Sequence, residues 1–182
     1  MRFVKYLFKE TFTFIILAVL IVLPVRLFVA QPFVVDGESM HPTFTNGDYL
    51  IIDQITYRFE DPKRGDVIVF RYPEHPSTFY IKRIIGLPGE TVRVQDGKVA
   101  ITTATGEEIS FAEPYVVNDD ATYTRDMQLG DGEYYVMGDN RPKSSDSRIW
   151  GALPRENIIG RAFLRLLPPT HMDVWPGAVT LP

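Results

Sequence analysis

The chain has 182 residues, 45% of them hydrophobic and 23% charged, enough for one folded domain with an appendage and too apolar for intrinsic disorder. It carries a net charge of −4 and no cysteine, which excludes disulfides, thiolate metal sites and a cysteine nucleophile. The charge is uneven: residues 31–182 hold 15 basic and 22 acidic residues, a poor match to nucleic-acid phosphates, and His41, His75 and His171 lie apart without metal-ligand spacing.

Residues 1–10 form a short basic N-terminus with Arg2, Lys5 and Lys9 against Glu10. Thr11–Ala30 (TFTFIILAVLIVLPVRLFVA) has the length a helix needs to cross the hydrocarbon layer, about 20 residues. Arg26 can snorkel to the headgroups, Pro24 marks a kink or exit, and the preceding basic residues place the N-terminus in the cytoplasm. A buried core helix would carry a polar stripe, which Phe12–Val25 lacks. A cleavable leader would want a small residue where Phe28 stands, so the expectation is an uncleaved single-pass anchor.

Residues 31–182 read as an all-β body, a folded-over antiparallel sheet or barrel-like arrangement. Strands are expected at Phe33–Asp36, Tyr49–Gln54, Asp66–Tyr72, Phe79–Ile85, Thr91–Gln95, Lys98–Thr102, Glu133–Met137 and Ile158–Leu166. Asp96-Gly97 gives a strong hairpin signal between two of them. The Pro-rich tail from His171 to Pro182 reads as irregular, with Trp175 either resting at a membrane surface or, the favoured reading, packed on the body.

Three segments carry chemistry. In Val35–Thr43 a strand runs through Gly37 into a turn that presents Ser39, either as a nucleophile beside free backbone N–H groups or as a turn serine bonded to its own backbone. In Phe79–Glu90, alternation puts Tyr80, Lys82 and Ile84 on one face and Ile81, Arg83 and Ile85 on the other. Both faces are apolar, so one of the two cations should be drawn inward. Lys82 is then either a snorkelling surface lysine or a desolvated base, the latter needing its pKa lowered by about 3 from ~10.4. Met137–Gly151 is a loop of Gly, Asp, Asn and Ser, either solvated or cross-braced by its acids and arginines, and without calcium-loop spacing.

Together these segments resemble bacterial type I signal peptidases, Ser-Lys dyad serine proteases. The matching stretches are GESMHPT (37–43), RGDVIVF (64–70), YIKRIIGLPGE (80–90) and GDNRPKSSDSR (138–148), in order after an anchor. The resemblance implies Ser39 as nucleophile, Lys82 as general base and Ser144 as the serine that orients the lysine. It also implies Arg83 with Asp139, and Asp146 with Arg148, as structural braces. Gly37 stands where some members have an oxyanion-stabilising serine, which leaves the oxyanion hole to backbone, chiefly the Ser39 N–H. Pro142-Lys143 departs from the Asp and Asn that often follow GDNR. Substrate pockets are implied at Phe33, Val35, Met40, Phe44, Tyr80 and Ile81, with the substrate adding as a strand.

The function so implied is removal of signal peptides from secreted preproteins after an Ala-x-Ala-like site, through an acyl-enzyme and without metal or cofactor. The implied partners are preproteins and the lipid bilayer, with the secretion translocon as a candidate, and no nucleic acid. The implied location is the bacterial cytoplasmic membrane, the body extracytoplasmic. Rival readings are a peptidase specialised for one pilin or conjugation protein, and an inactive anchored β-domain that binds partners through its strand edges. Self-cleaving repressors also use Ser and Lys, but need a DNA-binding head where this chain has its anchor.

Overall fold

The computed structural model describes residues 2–24, 29–118 and 120–182. Helix α1 (Arg2–Pro24) opens the chain and exposes the large apolar side chains between Phe12 and Leu23. Among the described residues no helix is long and apolar enough to cross a membrane. The expected span Thr11–Ala30 runs through residues 25–28, so Arg26 and its expected snorkelling lie outside the described residues.

The body is mainly β. Its strands are β1 (Ala30–Val34), β2 (Tyr49–Asp53), β3 (Val67–Tyr72), β4 (His75–Gly86), β5 (Thr91–Gln95) and β6 (Lys98–Thr102). They continue as β7 (Glu108–Ser110), β8 (Arg125–Gln128), β9 (Glu133–Met137), β10 (Leu153–Pro154), β11 (Ile158–Leu167) and β12 (Asp173–Val174). A large sheet has the order β1-β2-β11-β3-β4-β9-β10 with β12 on β11, and a smaller one the order β7-β6-β5-β8. The ladders between these strands are antiparallel. Asp96 and Gly97 turn the β5–β6 hairpin with φ of 51° and 76°, the left-handed pair that this turn requires.

The expected strand Phe33–Asp36 is displaced. Pairing runs from Ala30 opposite Asp53 to Val34 opposite Tyr49, and the chain then leaves the ladder with Val35 N–H bonded to the Asp48 carbonyl. β7, β8, β10 and β12 were not expected: two are polar edges of the small sheet and two are only two residues long, so none presents an apolar alternation. Within the expected loop, α2 (Ser147–Trp150) forms one turn, its N-cap Asp146 accepting from Arg148 N–H. In the tail, Trp175 packs edge-on against Phe163 with Arg161 over its ring.

β3 explains why VIVF reads as an unbroken apolar run, since both of its faces are covered. Val67 and Val69 join Val35, Met40, Phe44, Leu50 and Ile52 in one cluster, while Ile68 and Phe70 join Ile84, Tyr134 and Val136 in another. β4 has the same two-sided cover from Lys82 to Gly86, while its first five residues are exposed. It therefore buries both cations rather than one: Lys82 is 4% and Arg83 0% exposed.

Candidate active site

Ser39 sits in the turn that follows β1. Gly37 allows the chain to leave the sheet with φ of 101°, a backbone conformation unfavourable for a residue with a Cβ. Its N–H donates to Asn46 Oδ1 at 3.0 Å, so Gly37 gives the turn its shape while its donor is engaged. The Ser39 N–H has no acceptor among the described residues. The turn is tied to the loop 138–148 by Asn140, whose N–H donates to the Ser39 carbonyl at 3.0 Å and whose Nδ2 donates to the Glu38 carbonyl at 3.1 Å.

Lys82 reaches the same point from β4. Its Nζ lies 2.8 Å from Ser39 Oγ and 2.8 Å from the Ile81 carbonyl, and 5.1 Å from the centre of the Tyr80 ring. Burial pushes its pKa down to about 8, while the carboxylates of Asp146 and then Asp139 keep it from falling further. At pH 7 about one such amine in ten is neutral, against fewer than about one in a thousand for an exposed lysine.

On the opposite face of β4, Arg83 meets Asp139 in a two-pronged pair, Nε to Oδ1 at 2.9 Å and Nη2 to Oδ2 at 2.7 Å, both side chains fully buried. Arg83 Nη1 donates to the carbonyls of Gly65 at 2.9 Å and Gly177 at 2.6 Å. Thr43 Oγ1 donates to Asp139 Oδ2 at 2.5 Å, which links the nucleophile turn to the same carboxylate. Asp146 accepts from Gly138 N–H at 3.0 Å and from Arg148 Nε at 2.8 Å and Nη2 at 3.0 Å. Arg148 Nη2 also donates to the Arg141 carbonyl at 2.5 Å. The loop is thus held rigidly from within, rather than solvated. Pro142 and Lys143 do not disturb it; they lie in a short 3-10 turn, Arg141–Lys143.

Ser144 is brought to the site but not into a hydrogen bond. Its Oγ is buried with no partner, and Lys82 points its amine at Ser39 and Ile81 instead. A Cβ on Gly138 would lie 2.3 Å from Ser144 Oγ and 2.5 Å from the Ser39 carbonyl oxygen. Gly138→Ala is therefore expected to destabilise the body by about 1–3 kcal/mol, measured as the midpoint of urea unfolding. An unchanged midpoint would show that the loop can yield there.

A cavity of ≈ 290 Å³ opens beside Ser39 and Lys82, with Phe33, Val35, Tyr80 and Ile81 among its lining residues. Met40 and Phe44, expected to line it, do not. The turn folds back with Phe44 N–H on the Met40 carbonyl and buries both beneath Val35. Leu50 and Val69 line it unexpectedly, and Leu50 could have been found because it is the ladder partner of Phe33. Glu38, Lys143 and Ser145 complete the side nearest the loop. Among the described residues, no group of three or more His, Asp or Glu is arranged to hold a metal ion.

The arrangement is a hydroxyl in contact with a buried amine of lowered basicity, next to an apolar cleft bounded by a sheet edge. The sequence model of the family "Signal peptidase, peptidase S26" matches residues 8–167. "Probable signal peptidase I-1" of Synechocystis sp. is 38% identical over 170 residues, 90% of this chain and 84% of that protein. "Signal peptidase I" of Leptolyngbya laminosa is 43% identical over 163 residues, 86% of this chain and 78% of that protein. A solved signal peptidase I from Enterococcus faecalis V583 is 33% identical, covering 56% of this chain and 97% of that one, at a TM-score of 0.46.

Proposed function

Because the chain belongs to the signal peptidase family, peptidase S26, as a signal peptidase I serine protease that removes signal peptides from preproteins, we propose that it cuts them by a Ser39–Lys82 mechanism. The observation that carries this reading is the 2.8 Å contact between Ser39 Oγ and a lysine amine that is 4% exposed. Neutral Lys82 takes the Ser39 proton as Oγ adds to the carbonyl carbon after the small residue that ends the signal peptide. The developing oxyanion turns toward the free Ser39 N–H. Lys82 then returns the proton to the departing amine, and water activated by the same amine releases the acyl group.

A neutral amine has one lone pair and two N–H bonds. The lone pair faces the Ser39 hydroxyl and the Ile81 carbonyl takes one N–H, which leaves one donor over. Ser144 Oγ is a buried oxygen that makes no hydrogen bond in this structure, and we assign it as the acceptor that the amine meets once it turns from its resting orientation during the reaction. Arg83–Asp139 and Asp146–Arg148 hold the two walls that carry base and loop.

The apolar cleft suits short side chains of an Ala-x-Ala site entering between Phe33, Val35 and Ile81, with the substrate backbone laid along the edge of β1. The family is usually membrane-associated. We assign residues 1–10 to the cytoplasm, residues 11–30 to a bilayer anchor and residues 31–182 to an extracytoplasmic body of the bacterial cytoplasmic membrane. Eight residues separate Ala30 from Ser39, so the nucleophile lies within roughly 30 Å of the anchor's end, suited to preproteins still in the bilayer beside the translocon.

Purified full-length protein in detergent should cleave a preprotein with an Ala-x-Ala site and spare one with bulky residues at the first and third places before the cut. Cleavage of both alike would refute the assigned specificity. As the neutral amine is the active form, kcat/KM should rise with pH and level off above about 8. A limb near ~10 instead would remove Lys82 from the role of desolvated base.

A further inference from the structure

At the loop side of the cavity, the Lys143 ammonium meets the Glu38 carboxylate, with side-chain exposures of 60% and 59%. No step of the proposed mechanism uses this pair. Nor is it needed to hold Ser39, because Asn140 already ties that turn to the loop through its N–H and its Nδ2. Exposed ion pairs add little to stability, so the two Asn140 hydrogen bonds outweigh it as a clasp and leave both charges available to an incoming chain.

The charges along the cavity are ordered. With the residues before the cut laid along the edge of β1, as proposed above, Asp36 adds a negative charge to the lining just past that strand. What remains for the residues after the cut is the loop side, Glu38, Lys143 and Ser145. Among the described lining residues Lys143 is the one cation besides Lys82, and Lys82 must be neutral to act. The hydrogen bond and charge of Lys143 hold the Glu38 carboxyl below the usual carboxylate range. Near neutral pH Glu38 is therefore a carboxylate, and a substrate carboxylate can take its place without any proton transfer.

Resting on the signal peptidase reading, we propose that Lys143 is a specificity residue that accepts an acidic side chain from the first or second residue after the cut, with Glu38 as the built-in competitor it gives up. One exposed ion pair is exchanged for another, so the result is a preference and not a requirement: about fivefold in kcat/KM at low ionic strength, shrinking with added salt.

The test uses the full-length protein in detergent and peptides that span an Ala-x-Ala site, with Asp, Asn or Lys placed in turn at each of the two positions after the cut. Wild type should favour Asp over Lys at one of them. Lys143→Arg should keep the preference, Lys143→Gln lose it, Lys143→Glu invert it, and Glu38→Gln enlarge it by removing the competitor. An Asp-to-Lys ratio that is the same in wild type, Lys143→Gln and Lys143→Glu overturns the proposal. So does an equal fall for all peptides in both Lys143→Gln and Glu38→Gln, the signature of a clasp. Should Lys143→Glu fold poorly, the ratio in Lys143→Gln decides. Failure of wild type to cut even the Asn peptides would count against the signal peptidase reading itself, a result distinct from cleavage without charge preference.

Discussion

Lys82→Met is expected to abolish preprotein cleavage and at the same time make the body harder to unfold. Without the amine nothing takes the Ser39 proton, and loss of a general base costs at least about 10²–10⁴-fold in rate. The gain in stability comes from burial. A lysine titrates near 10.5 when exposed and at about 8 here, so below pH 8 the folded protein keeps a charged ammonium where its environment disfavours it. That penalty is fully present below about 8, where both folded and unfolded forms are protonated, and fades as pH rises toward 10.5 because only the unfolded chain still holds the proton. Its size is about 3 kcal/mol, and methionine fills nearly the same volume without it. The lost contact with the Ile81 carbonyl offsets part of this, leaving about 1–3 kcal/mol of added stability at pH 7. Urea melts of both proteins from pH 7 to 10 check it: wild-type stability attributable to this residue should climb across that range, and the difference from Lys82→Met should shrink. A methionine variant less stable than wild type at pH 7 would contradict the burial cost.

Asp139→Ala should destabilise the body by about 3–5 kcal/mol, because it strands the Arg83 guanidinium in a fully buried position. That is a large part of the 5–15 kcal/mol that ordinarily separates folded from unfolded domains. The loss belongs to the unpaired charge rather than to the pair as such, so Arg83→Met with Asp139→Leu should recover much of it. Unfolding of Arg83→Met, Asp139→Leu and the variant carrying both measures the coupling, and simple additivity would argue against a direct pairwise effect. Asp139 is also one of the two carboxylates that raise the Lys82 pKa. In the folded fraction of Asp139→Asn the pH limb of cleavage should therefore move below about 8.

Much of the body was legible because apolar runs and turn residues agree, as at the β5–β6 hairpin, and the order of the motif-bearing segments pointed to the family. The residues that sequence reasoning misplaced share a cause: their neighbours are distant in the chain. Met40 and Phe44 read as pocket residues beside Ser39, yet the turn folds them under β1 into a core completed by Leu50, Val67 and Val69. Alternation on β4 correctly separated Lys82 from Arg83, but one strand cannot reveal that each face has its own cover. The buried pair Arg64–Glu90 and the half-buried pair Arg141–Glu113 span 26 and 28 residues, with no periodicity to announce them. Ser144 shows the converse, a residue singled out by its motif whose oxygen has no hydrogen-bond partner.

Arg83 also ties the timing of assembly to a segment far along the chain. One of its hydrogen bonds goes to the carbonyl of Gly177, 94 residues downstream. During synthesis the strand that carries the base is made early, but that bond cannot close until residue 177 has been made. A nascent protein halted before residue 177 would hold both Ser39 and Lys82 while Arg83 still lacked that partner. The brace behind the base is thereby complete only once the segment around Gly177 has joined the fold.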